Sequence, residues 1–198
     1  MRSVAVFLLF LFALLTYALH RETKPAQASA ADLGLSHIAS EIARREVKIR
    51  CEGTTGEIIG VDGQSGRTMF VDGKPDNQSF LLEGICERLH TYSRLTKSNP
   101  ECLLPCDGST LETAWSLNAL AHESYHLAGV RNEARTECYA LQAIDFVARK
   151  LGANEAQARQ LAVFSYNELP QQMPAEYTSP ECHDGGGLDL KPDDPAWP

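Results

Sequence analysis

Basic residues are scarce in this chain. Against 26 Asp and Glu there are only 18 Lys and Arg in 198 residues, a formal charge of −8. A surface that neutralises phosphates needs the opposite balance, which argues against nucleic acid or anionic lipid as a partner. Long apolar runs are missing apart from one, Val4 to Leu19. No second Cys or His pair has the spacing to turn Cys102-x-x-x-Cys106 into a metal knuckle. From Thr110 to Ala128 there is neither proline nor glycine, so nothing local interrupts a helix there. Between Thr113 and Ala128 fixed charge is also absent, with the single exception of Glu123. An uncharged helix of that length is a buried one.

The apolar run has its own context. It follows Met1-Arg2-Ser3 and precedes a polar stretch ending in Ala28-Ser29-Ala30. A positive start, an apolar core and an A-x-A site describe a signal peptide over residues 1–30, cleaved after Ala30. The alternative is a retained signal anchor over residues 4–19, although its sixteen residues fall short of the ~20 that span a bilayer. Both readings put the rest of the chain outside the cytoplasm, either secreted or held at the outer face of the membrane. Contact with the membrane is then expected only through an uncleaved anchor. Cleavage would remove Arg2, Arg21, Glu22 and Lys24 and leave a formal charge of −10. Residues 31–198 are long enough for a single domain with a real core, ending in a Pro-, Gly- and Asp-rich tail over 177–198.

Cysteine usage agrees with export. Cys51, Cys86, Cys102, Cys106, Cys138 and Cys182 are even in number and all lie beyond the targeting segment. They suggest up to three disulfides, in any of fifteen connectivities.

The buried helix carries His122-Glu123-Ser124-Tyr125-His126, an H-E-x-x-H motif. Residues four apart on a helix lie on one face ~6 Å apart, so both imidazoles can converge on one Zn²⁺. Glu123 sits beside the metal without binding it, the position of a general base for a zinc-bound water. Ser109 and Glu112 have capping-box spacing at the start of this helix, and Leu117, Leu120, Ser124 and Leu127 form its core stripe. Gly129 stands where a helix-terminating glycine would, and Asn132 where the next N-cap would. A straight helix would carry Glu133 ~10 Å beyond His126, whereas a sharp turn at Gly129 folds it back as third ligand. Glu137, one turn later, is expected to support a ligand histidine, with Glu137 as third ligand the alternative.

The remaining elements are read in outline. A helix is expected over Leu35 to Arg45, strands over Val47–Glu52, Glu57–Asp62 and Arg67–Asp72, and a helix over Ser79 to Leu95. Val61 and Val71 each open a Val-Asp-Gly sequence, read as turn chemistry. Asn154 caps a further helix to about Glu168, before Pro170. His37 and His90 are read as surface or core-edge residues. In the tail, Tyr177 and His183 are candidates for an oxyanion donor over the metal.

His122-Glu-x-x-His126 with downstream Asn132-Glu133-Ala-x-Thr136-Glu137 resembles the zincin metallopeptidases, in particular the gluzincins. The resemblance covers about residues 110–150. Two departures stand out: Glu133 follows His126 by seven residues, fewer than in thermolysin-like members, and Asn132 stands where metzincins place His or Asp. The resemblance implies an α+β fold, a small zincin-like domain with a short antiparallel sheet packed on a helical part. It also implies one zinc held by His122, His126 and Glu133, with Glu137 as buttress and an edge strand that pairs with an extended peptide. The expected function is therefore an exported zinc-dependent metallopeptidase acting on a peptide or protein substrate. The alternative is a non-catalytic, disulfide-stapled binding or regulatory domain on the same fold.

Overall fold

The structure is a computed structural model and describes residues 30–53 and 65–193. In chain order its elements are helix α1 (Ala30–Ala43) and strands β1 (Lys48–Glu52), β2 (Gly66–Val71) and β3 (Lys74–Leu82). Helices α2 (Glu83–Ser98), α3 (Thr110–Leu127), α4 (Glu133–Lys150) and α5 (Glu155–Glu168) follow, then single 3₁₀ turns at Pro170–Gln172 and Ala175–Tyr177. The fold is α+β, as expected.

α3 is the central element. It packs against α1, α2, α4 and α5 and against β2 and β3. Leu117, Leu120 and Leu127 are fully buried, and Ser124 lies on the same stripe with no exposure. Ile85 and Leu89 of α2 and Ile144 and Val147 of α4 complete the surrounding core. The buried polar side chains of α3, among them Asn118, His122, Glu123 and His126, are consequently held among packed neighbours with few rotamers open to them.

The sheet differs from the expectation in two respects. It is mixed and not wholly antiparallel: the strand order is β1-β3-β2, with β1 parallel and β2 antiparallel to β3. The central strand, β3, takes Ser79 to Leu82, which the helical reading had assigned to the start of α2. Apolar Phe80, Leu81 and Leu82 suit either element, and pairing on both edges decides for the strand. The expected strand over Glu57–Asp62 lies outside the described residues. Asp72 and Gly73, both at positive φ (50° and 77°), close the β2–β3 hairpin in the manner of a type I′ turn.

All six cysteines are paired. Cys51–Cys86 joins β1 to α2, Cys102–Cys106 closes a loop before α3, and Cys138–Cys182 ties α4 to the tail. Three disulfides are the mark of an oxidising, extracytoplasmic setting. Among the described residues no helix is long and apolar enough to cross a membrane.

Candidate metal centre

The ends of α3 position the motif. Ser109 occupies the N-cap, but the capping box with Glu112 does not form. Asp107 takes over the role of local acceptor, receiving both the amide and the hydroxyl of Ser109, and these bonds hold its carboxyl below the usual range. At the other end Gly129, at φ 99°, reverses the chain. The Gly129 amide donates to the His126 carbonyl (2.9 Å) and the Val130 amide to that of Tyr125 (3.0 Å). This is a Schellman ending, with glycine at the left-handed position. Asn132 then caps α4 through the Arg135 amide, as expected.

The reversal brings Glu133 back over the motif. His122 Nε2 lies 3.1 Å and His126 Nε2 3.2 Å from the same atom, Glu133 Oε2. His126 Nδ1 donates to the Val130 carbonyl (2.7 Å), in the very turn that returns Glu133. His122 Nδ1 donates to Glu137 Oε2 (2.9 Å), and the other Glu137 oxygen accepts from Asn118 Nδ2 (2.8 Å). With both Nδ1 atoms committed as donors, each Nε2 is the nitrogen left facing Glu133: it donates there when protonated, and offers its lone pair to a metal once that proton is displaced. His122, His126 and Glu133 thus form a group able to hold a metal ion, their ligand atoms all within 4.8 Å of one another. The two separations from Glu133 Oε2 are close to the ~3.4 Å between ligand atoms of a tetrahedral ion bound at ~2.0–2.1 Å.

The electrostatics ask for positive charge here. Burial alone pulls the His122 pKa down, but its bonds to Glu133 and Glu137 outweigh this and lift it to about 10. Glu133 is held below the usual carboxylate range, first by its bond to His122 and against the effect of burial. A proton meets that demand in the metal-free protein, and a dication meets it more fully. Glu137, its side chain only 4% exposed, has both oxygens engaged by His122 Nδ1 and Asn118, and it is not part of the converging group of His122, His126 and Glu133.

Glu123 points elsewhere. Its Oε2 accepts from the hydroxyls of Thr68 (2.6 Å) and Ser79 (2.8 Å), which are directly opposed on β2 and β3. Gly66 makes room for it: a Cβ there would lie 2.8 Å from Glu123 Cγ. The sheet therefore clamps one carboxylate oxygen beside the histidines.

A cleft of about 480 Å³ opens over these groups. β2 from Gly66 to Phe70 forms one wall, α3 the floor, and Met173 and Tyr177 the side opposite. The Tyr177 ring sits 5.8 Å from that of His122, and burial together with nearby Glu133 raises its hydroxyl pKa. His183 does not join it: its side chain is exposed, its Nδ1 donates to the Asp184 carbonyl (2.8 Å), and it does not line the cleft. His37 pairs with Glu41 on the exposed face of α1, and His90 is on α2, away from the cleft.

Sequence reasoning missed Asn118, Thr68, Ser79, Phe70 and Arg131. Asn118 was within reach, since it precedes His122 by one helical turn on the same face. The strand residues carry no such local signal. Comparison with family models, with curated proteins and with solved structures finds no match to the chain.

Proposed function

We propose that the chain is an exported zinc-dependent metallopeptidase, with His122, His126 and Glu133 as metal ligands. One observation carries this reading: two imidazole Nε2 atoms and one carboxylate oxygen converge beside a second carboxylate, Glu123, that is not among them. Two nitrogens and one oxygen suit zinc, and three protein ligands leave a position open, as in catalytic sites. When bound, zinc acidifies water and polarises a carbonyl.

The chain's own residues supply the rest. An extended peptide lies in the cleft along β2, whose outer edge pairs with no other described strand. Glu123, oriented through Oε2 by Thr68 and Ser79, keeps Oε1 for the proton of the attacking water. As the water oxygen bonds to the scissile carbon and the C–N bond breaks, Glu123 delivers that proton to the leaving amine. Tyr177, beside His122, donates its hydroxyl to the developing oxyanion. Export is supported by the three disulfides.

Metal analysis paired with an unbiased peptide-library digest tests this reading. Glu123→Gln should keep stoichiometric zinc and lose turnover by about 10²–10⁴-fold, since an amide cannot take the proton. Loss of zinc in that variant, or full retained activity, would sink the role given to Glu123. A protein that binds zinc and cleaves no peptide would favour the non-catalytic alternative.

A further inference from the structure

Arg131 is an exposed residue at the edge of the cleft. The chain carries an excess of acids, yet among the described residues no carboxylate pairs with this guanidinium. It reaches from the turn between α3 and α4 across to the β2–β3 hairpin and lies over the Phe70 ring, 5.2 Å from its centroid. Phe70 in turn meets His126 edge-on at 6.0 Å. Nη1 lies beside the hairpin turn, where a Cβ on Gly73 would be 3.5 Å from it, an ordinary contact. Both Arg131 and Phe70 line the cleft. Arg67 also lines the cleft, but its guanidinium lies over the ring of Phe80, 5.8 Å from the centroid, and Phe80 is not part of the cleft wall. One cation, held by an aromatic face and a hairpin, is therefore aimed at whatever occupies the cleft near His126.

We propose that Arg131 is a specificity-determining residue that reads an acidic side chain of an extended peptide bound along β2. The inference rests on the peptide-cleaving site described above for its substrate, and on the edge strand for its register. Thr68 lies against Glu123 and Phe70 against His126, two residues further along β2. Two residues of strand advance ~6.6–6.8 Å, so Arg131 lies one or two substrate residues from the scissile bond. Antiparallel pairing is the more stable sense, and it places the residue read by Arg131 on the N-terminal side of that bond. The guanidinium fork suits a carboxylate bidentately, and its position over the Phe70 ring does not use its N–H donors.

The test uses zinc-loaded protein and matched peptide sets that differ only in Asp, Asn or Lys at one position each side of the cleaved bond. Asp one or two residues before the bond should be preferred over Asn by about tenfold in kcat/KM, as for a charge-assisted hydrogen bond. Arg131→Gln should bring that ratio close to one and Arg131→Glu should favour Lys. Arg135→Gln, on the same helix end but off the cleft, should leave the ratio as it was. Equal cleavage of Asp and Asn peptides by the unaltered protein overturns the proposal, as does a ratio that survives Arg131→Gln. A preference confined to peptides with a free C-terminal carboxylate, lost on amidation, also overturns it in favour of parallel binding and chain-end recognition. Binding of the same peptides to zinc-loaded Glu123→Gln separates the two readings. An Asp preference in binding without cleavage by the unaltered protein upholds Arg131 and removes the peptidase, and absence of both binding and cleavage overturns both.

Discussion

Glu133 and Glu137 stand one helical turn apart on α4, yet their carboxylates meet opposite sides of one imidazole. Glu133 faces His122 Nε2 and Glu137 faces Nδ1. Their substitutions should therefore separate. Glu133→Gln should weaken zinc binding most, and Glu137→Gln should weaken it by about 10–100-fold through the loss of ligand orientation. Asn132→Ala should cost about 1 kcal/mol of stability with zinc retained. Titration calorimetry on the three variants checks the order, and Glu137 mattering more than Glu133 would reverse the assignment. The metal-free protein also has a defined pH response. His122 has a folded pKa of about 10, above its ordinary 6.5, so its contribution to stability is fully present below 6.5 and fades as pH rises through 10. Loading zinc removes that proton, so the alkaline loss should vanish in the zinc-loaded protein. Thermal melts of both forms from pH 6 to 10 measure it, and parallel curves would contradict it. His122, Glu123 and His126 were legible because spacing on a helix fixes which side chains meet, and Glu133 because the helix-ending Gly129 marks where the chain turns back. Thr68 and Ser79 were not, because their meeting with Glu123 spans 55 and 44 residues and depends on how the sheet pairs.

Two glycines illustrate how turns and strands deliver the site, and for different reasons. Gly129 has open space where a Cβ would be, so Gly129→Ala meets only the strain of a positive φ, about 1–2 kcal/mol. Gly66 has no such space: a Cβ would lie 2.8 Å from Glu123 and from Leu81, and 2.9 Å from the Phe80 backbone oxygen. Gly66→Ala should therefore displace Glu123 or part β2 from β3, cutting turnover far more than Gly129→Ala does. Kinetics at equal zinc occupancy compare them, and similar losses would show that Gly66 does not seat the carboxylate. Gly129 was readable from sequence because a helix-ending glycine has a fixed place in the pattern. β3 was misread because a short apolar run has no period of its own. Its partners on both sides, β1 and β2, make it a strand.

The disulfides join parts of the chain that the sequence could name but not pair. Cys51–Cys86 and Cys138–Cys182 close separations of 35 and 44 residues, whereas Cys102–Cys106 closes only 4. On chain-entropy grounds the two long closures stabilise by about 4 kcal/mol each and the short one by about 2. Cys138–Cys182 has a further consequence, since it anchors the segment that leads back to Tyr177. Beyond it the tail leaves the cleft and runs along α4, where Gln142 Nε2 donates to the Leu188 carbonyl (2.8 Å) and Gln142 Oε1 accepts the Leu190 amide (2.7 Å). Lys191 then pairs with Asp145 at 3.0 Å. Removing residues after Lys191 should accordingly leave stability and turnover unchanged. Replacing Cys138 and Cys182 together with alanine should lower thermal stability and turnover while zinc remains bound, because α4 keeps Glu133 in place but Tyr177 loses its tether. Tyr177→Phe in the intact chain isolates the second effect, and it should reduce turnover with unchanged melting temperature and zinc content. If Tyr177→Phe turns over normally, the tail is a structural wrap, and the loss in the double alanine variant would come from the fold.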